Sequence, residues 1–254
     1  MPNRPAQRPL ALFVSLTFAF ALLIGALASH AADEIAKDGK RVFNGKDLSG
    51  WKMKDEGGAK AWTVVGDVKL DAADPAKLAG NGQGSADKGV LLRGPIDHGS
   101  DIYTEQTFGD CELHVEFTVP KGSNSGVYLM GQYEIQVFDS FGKKEIGPGD
   151  LGSIYSVAVA KENAAKAPGE WQTLDVVFKA PRFEGDKKTG NAMFVLVKLN
   201  GKTIHENVDV PNSTGGALAG GEKPKGPLMF QGDHGIVAFR NIRVKETAFR
   251  GEAK

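Results

Sequence analysis

Residues Ser125–Gly142 read SGVYLMGQYEIQVFDSFG, and this stretch decides the fold. It holds two β-type runs, and the second carries Glu134, Gln136 and Asp139. In a strand, successive side chains point to opposite faces, so Glu134 and Gln136 share one face and Asp139 takes the other. A β-bulge at Val137-Phe138 is expected to bring Asp139 round to join them. On the first run, Tyr128 faces outward if Val127 and Leu129 face the core. Tyr133 then lies opposite Glu134. Two carboxyl groups and an amide on one sheet face suit the handling of a sugar.

The same period-two pattern recurs on both sides of this stretch. Cys111–Val119 (CELHVEFTV) sets Leu113, Val115 and Phe117 against Glu112, His114 and Glu116. Trp171–Phe178, Ala192–Leu199 and Ile236–Val244 read as further strands. Asn200-Gly201 predicts a tight hairpin from Ala192–Leu199 to Thr203–Val210. With 33 glycines punctuating β-branched runs, the chain reads as an all-β sandwich rather than a helical or βαβ protein. Asp71–Gly89, Lys143–Gly152 and Asn212–Lys225 read as loops, the last flexible by composition. Lys161–Ala167 is expected to form a helical turn. There is no internal repeat or linker, so residues 40–246 form one domain and 247–254 a polar tail.

The chain has 254 residues. Residues 1–31 read as a signal peptide: Arg4 and Arg8, an apolar run Leu10–Ala28, then the small-residue site Ser29-His30-Ala31. An exported protein is expected, periplasmic, cell-surface or secreted, with no membrane association after cleavage. The alternative is a retained anchor, since the apolar run is long enough to cross a bilayer. The chain has 31 basic and 31 acidic residues, so loss of two arginines leaves a formal charge of −2. Such a surface gives no electrostatic case for nucleic acid. Cys111, the one cysteine, excludes an internal disulfide and reads as a buried apolar residue. No GxSxG, HExxH, P-loop or GxGxxG motif occurs in a suitable context, so no nucleotide or flavin is expected.

Other residues could carry chemistry. His234, in Gln231-Gly232-Asp233-His234-Gly235, can act as acid, base or metal ligand near neutral pH. Arg182 and Arg240 could hold sugar hydroxyls or form ion pairs. His114 reads as part of a solvated polar face with Glu112 and Glu116. Trp51 reads as a plug at the sandwich edge, with sugar stacking as the alternative.

FNGKDLSGW (43–51), NSGVYLMGQYEIQVFDSFG (124–142), APGEWQTLDVVFKAPRF (167–183), LNGKTIHENV (199–208), GPLMFQGDHG (226–235) and VAFRNIRV (237–244) follow one another in an order that resembles the 3-keto-disaccharide hydrolase domain over residues 40–246. The resemblance implies a two-sheet antiparallel jelly-roll sandwich of the concanavalin A-like lectin/glucanase type, with a saccharide substrate on one sheet face. It implies a glycoside first oxidised at C3 by a separate sugar 3-dehydrogenase. A base then takes the C2 proton, the aglycone is eliminated from C1, and water adds. On this basis Glu134 or His234 is the base and Asp139 tunes it or protonates the leaving oxygen. Tyr128, Gln136, Arg240 and Arg182 bind substrate. A divalent metal is left open, with no ligand set legible. Relatives often carry arginine where this chain has Met130 and Gln132, which implies a different sugar or weaker binding. Retaining glucanases on this fold carry E-x-D-x-x-E on a bulged strand; here the spacing reads Glu134-x-Gln136-x-x-Asp139, which argues against a double displacement. The rivals are a non-catalytic sugar-binding module and a structural envelope domain.

Overall fold

The computed structural model describes residues 38–55, 61–86, 88–95 and 99–249. The expected signal peptide, and residues 250–254 of the expected tail, lie outside the described residues. In chain order the strands are β1 (Lys40–Arg41), β2 (Trp51–Met53), β3 (Trp62–Leu70), β4 (Leu78–Gln83), β5 (Val90–Arg93), β6 (Ile102–Phe108), β7 (Cys111–Thr118) and β8 (Asn124–Leu129). They continue as β9 (Tyr133–Phe138), β10 (Gln172–Lys179), β11 (Arg182–Glu184), β12 (Lys187–Gly190), β13 (Ala192–Leu199), β14 (Lys202–Val210), β15 (Gly226–Phe230) and β16 (Val237–Glu246).

These strands build the expected two-sheet antiparallel jelly-roll sandwich. The larger sheet has nine strands in the order β14-β13-β10-β7-β16-β5-β3-β4, with β1 paired to β16. The smaller has five, β2-β6-β15-β8-β9, and β11 and β12 form a separate ribbon. Alternation places Leu113, Val115 and Phe117 of β7 in the core against Val127, Leu129 and Ile135 of β8 and β9. Aromatic contacts tie the layers together. Phe230 of β15 stacks on Phe239 of β16 with centroids 4.0 Å apart, and Tyr133 of β9 meets Phe178 of β10 at 5.5 Å. Trp51 is buried and stacks on Phe230 at 5.5 Å, which gives it the structural role of the two expected.

The β13–β14 hairpin closes as the Asn-Gly pair predicts: Leu199 pairs with Lys202, leaving Asn200 and Gly201 as the turn. Two local expectations fail. Asp71–Gly89 is not wholly a loop, because β4 runs through it and pairs with β3 from Val65↔Gln83 to Leu70↔Leu78. Lys161–Ala167 forms no helical turn; Asn163 instead ties the segment to the carbonyls of Ser140 and Lys143. Cys111 is buried, and burial pushes its thiol up to about 12, so it stays protonated and inert.

Candidate functional site

The site is built on the outward face of the five-stranded sheet. β8 and β9 pair without interruption from Asn124↔Phe138 to Leu129↔Tyr133. Tyr128 is opposite Glu134 and Gly126 opposite Gln136, so this face carries two tyrosine- and carboxyl-bearing positions beside an amide and a gap. The gap matters: a Cβ at Gly126 would lie 2.2 Å from Glu134 Oε1. Glycine at 126 is what lets the Glu134 carboxyl lie against the strand.

A cavity of 160 Å³ opens over this face, with Glu134, Gln136, Tyr128, Asn124, Gln231 and His234 among its walls. Glu134 is 2% exposed. Burial raises its carboxyl to about 7; the Tyr128 hydroxyl and the His234 imidazole partly oppose the shift, and the carboxylates of Asp101 and Asp233 add to it. The Tyr128 hydroxyl donates to the Gly215 carbonyl at 2.9 Å. Burial, then the neighbouring Glu134 carboxylate, push it far above the usual phenol range, so it remains a donor. Asp233 Oδ1 lies 2.5 Å from Nδ1 of His234, orienting the ring at the exposed edge of the cavity.

Four buried side-chain oxygens of this cavity have no hydrogen-bond partner within the protein: Glu134 Oε1, Gln136 Oε1, Gln231 Oε1 and Asn124 Oδ1. Buried polar atoms are normally satisfied, and leaving one unpaired costs about 1–3 kcal/mol. Their convergence on one concave surface marks a place shaped for a hydroxyl-rich ligand. Among the described residues, no group of three or more His, Cys, Asp or Glu side chains is placed to hold a metal ion.

A roof crosses the site between β14 and β15, and it corrects the expectation of a flexible 212–225 segment. Thr214 N donates to Gln132 O at 2.9 Å and Leu218 N to Gly131 O at 2.8 Å. Lys54 Nζ donates to Gly216 O at 2.8 Å. A Cβ at Gly216, where φ is +76°, would meet the Tyr128 hydroxyl at 2.6 Å, so the roof closes this tightly only with glycine there. Gln132 is buried and clamps the roof, accepting from Ser213 Oγ at 2.6 Å and donating to Leu218 O at 3.0 Å. Met130 is buried as well. Of the two positions where the resemblance implied arginine, Gln132 thus supports the roof and Met130 is buried, and neither presents charge to a sugar.

Of the residues expected from sequence, the structure brings Glu134, Gln136, Tyr128 and His234 to one cavity. It does not bring Asp139. The expected bulge at Val137-Phe138 does not form; the β8–β9 register is unbroken, so the period of two is never shifted. Asp139 lies beyond β9 and accepts from the amides of Gly122 at 2.9 Å and Phe141 at 3.3 Å. Arg182 is elsewhere, in a two-pronged pair with Asp110 at 2.7 and 2.8 Å. Arg240 belongs to the outward face of the other sheet. Its Nε donates to Glu116 at 2.7 Å and its guanidinium lies 3.9 Å over the Trp171 ring. His114 is not solvated either: it is buried, with Nδ1 2.6 Å from Asp175. Sequence reasoning missed Asn124, Gln231 and Tyr155 as wall residues. Asn124 and Gln231 begin or lie within the quoted motifs, but an amide carries no charge signal to single it out.

With this geometry described, comparison with known proteins places the chain. The model of the 3-keto-alpha-glucoside-1,2-lyase-like domain matches residues 38–245. A 3-keto-disaccharide hydrolase of Bacteroides thetaiotaomicron is 26% identical over 245 residues, covering 80% of this chain and 77% of that protein. A crystal structure from Parabacteroides distasonis, provisionally named a glycosyl hydrolase, is 28% identical with a TM-score of 0.60, covering 83% of this chain and 84% of that one. A second from the same organism and similarly named has 20% identity and a TM-score of 0.55, covering 85% and 97%; it is similar in fold. The chain thus belongs to the 3-keto-alpha-glucoside-1,2-lyase-like family.

Proposed function

We propose that this protein is an exported enzyme that cleaves 3-keto-glycosides, 3-keto-disaccharides among them, by elimination followed by water addition. The observation that carries this reading is Glu134, a buried carboxyl raised to about 7 among amides whose side-chain oxygens have no partner in the protein. A ketone at C3 acidifies the C2 hydrogen, so a carboxylate titrating near neutrality is suited to remove it. The electrons move into an enolate whose oxygen needs fixed donors, which the NH2 ends of the Gln136, Gln231 and Asn124 amides can supply, while their unpartnered oxygens accept from sugar hydroxyls. The C1–O bond then breaks. Water adds at C1 of the resulting enone while Glu134 returns its proton to C2. The net reaction is hydrolysis, and no oxocarbenium ion or glycosyl-enzyme is needed.

The lectin-like alternative uses the same walls. A carboxyl held near neutrality favours catalysis over it, because a binding surface gains nothing from a desolvated, readily protonated acid. The substrate must come from an enzyme that oxidises the C3 hydroxyl of a glycoside. Export rests on the basic, apolar and small-residue pattern of residues 1–31.

The test uses residues 32–254 with a disaccharide and its 3-keto form, with and without chelator. We expect sugar release from the keto form alone, and chelator sensitivity would add a metal to the mechanism. Binding to both forms without release would overturn the enzyme reading in favour of the lectin.

A further inference from the structure

A larger cavity of 510 Å³ adjoins the first. Its walls include Ala76, Lys77, Arg93, Lys121 and Ile236, and His234 is common to both cavities. If a sugar ring lies over Glu134 in the first cavity, a glycosidic bond reaching into the second must pass His234. The second cavity is chemically unlike the first. Among the described residues its ionisable lining consists of Lys77, Arg93, Lys121 and the His234 imidazole, with no carboxylate.

Among the described residues the nearby acids are already engaged. Asp74 is 3.0 Å from Lys77, Asp233 is on His234 Nδ1, and Asp139 accepts from the Gly122 and Phe141 amides. Arg93 is buried and donates to the carbonyls of Gly232 and Gly94, both at 2.7 Å. Lys121 is exposed, and its ammonium has no ion pair among the described residues. Gly122, which Asp139 holds, is part of this wall. Asp139 thus ties a wall of the second cavity and does not line the first.

We propose that the second cavity is the leaving-group subsite, that it selects an aglycone bearing a carboxylate or comparable anion, and that His234 on the shared wall protonates the departing oxygen. This rests on the function proposed above. Glu134 takes the C2 proton, the C2–H pair becomes the C1–C2 double bond, and the C1–O pair leaves with the aglycone. The oxygen takes the proton from the imidazolium, and the neutral imidazole then takes one from the water that adds at C1. Proton count and charge close over the cycle. Asp233 at Nδ1 holds the ring.

The test has two arms. The first compares a 3-keto-disaccharide with the 3-keto aldonate made by oxidising its reducing end, a matched pair differing in aglycone charge. We expect kcat/KM about tenfold higher for the aldonate at low salt, a preference that Lys121→Ala and added salt each reduce to within about twofold. Equal values for the pair, or a preference that neither change moves, would overturn the anionic subsite. The second arm uses His234→Gln, a substitution at an exposed position. We expect turnover of the 3-keto-disaccharide to fall about 10²–10³-fold and that of a 3-keto 4-nitrophenyl glucoside, whose leaving group needs no proton, to fall less than tenfold. Equal losses on both substrates would remove His234 as the proton donor. If no 3-keto substrate reacts with the unaltered protein, the function itself fails. If all react without these differences, only the present inference fails.

Discussion

The two sheets each turn a polar, acid-bearing face outward, and the faces are opposite in character. On the nine-stranded sheet Glu116 is bonded by Arg240 Nε and by Asn241 Nδ2, each at 2.7 Å. Its carboxyl is held down to about 2, chiefly by His114 and against a burial cost, with Asn241 and Arg240 adding to the effect. On the five-stranded sheet Glu134 is raised to about 7 and its Oε1 has no partner. One carboxylate has been satisfied by its own chain. The other has been buried and left for something that is not part of the chain. Polarity on a sheet face is therefore a poor guide to function; what sets Glu134 apart is a raised carboxyl that shares one cavity with three other unpartnered side-chain oxygens.

The comparison breaks first at Glu134. Glu134→Gln is expected to cut turnover of a 3-keto-disaccharide about 10³-fold and yet raise the melting temperature at pH 8, a gain of about 1–2 kcal/mol from removing a desolvated carboxylate. A variant that is both inactive and less stable would place Glu134 with Glu116 as a structural acid. In the unaltered enzyme kcat/KM for the 3-keto 4-nitrophenyl glucoside, which needs no acid, should climb as pH rises through about 7, since the base acts deprotonated. Burial chiefly sets this value, lowered by Tyr128 and His234 and raised by Asp101 and Asp233, and a pH–rate profile reads it directly.

Gly216→Ala tests the roof. Its Cβ would strike the Tyr128 hydroxyl from a left-handed backbone position, so activity should fall about tenfold with a loss of about 1 kcal/mol in urea unfolding. Glu116→Gln should do the reverse of Glu134→Gln: a loss of about 1–2 kcal/mol with turnover unchanged.

A further expected effect lies in the pH dependence of stability. His114 is buried, which disfavours its charge, but Asp175 and Glu116 outweigh this and raise it to about 9 from 6.5. Its raised value means a stabilising contribution complete below pH 6.5 and lost as pH rises through about 9. Glu134 has the same sign in a lower window, its contribution fading between pH 4.5 and about 7. Denaturation midpoints measured across pH should therefore lose their alkaline slope in His114→Gln and their acid-side slope in Glu134→Gln.

Much of this was legible in the chain, for a reason that also marks its limit. The period of two is local, so it set Glu134 and Gln136 on one face, Tyr128 outward and Tyr133 on the face opposite Glu134 without any knowledge of partners. A bulge leaves no such trace, and the expectation for Asp139 failed there. Arg240 and Arg182 were ambiguous because their acids are 124 and 72 residues away in sequence. Arginine on a sugar and arginine on a carboxylate read alike until the sheet order is known. His114 looked solvated for the same reason: Asp175 belongs to a strand that only pairing brings beside it. The roof was misread because its glycines and polar residues suggested mobility, whereas Gln132, Tyr128 and Lys54 bond to its backbone.

That roof is fastened mostly through its main chain: the amides of Thr214 and Leu218 and the carbonyls of Gly215, Gly216 and Leu218. Asn212, Ala217 and Ala219 contribute none of these bonds. A segment secured by its backbone can exchange such side chains without coming loose, while Glu134 beneath it stays where the strand has set it. Descendants of this protein could therefore drift to new sugars by changing the ceiling and keeping the floor.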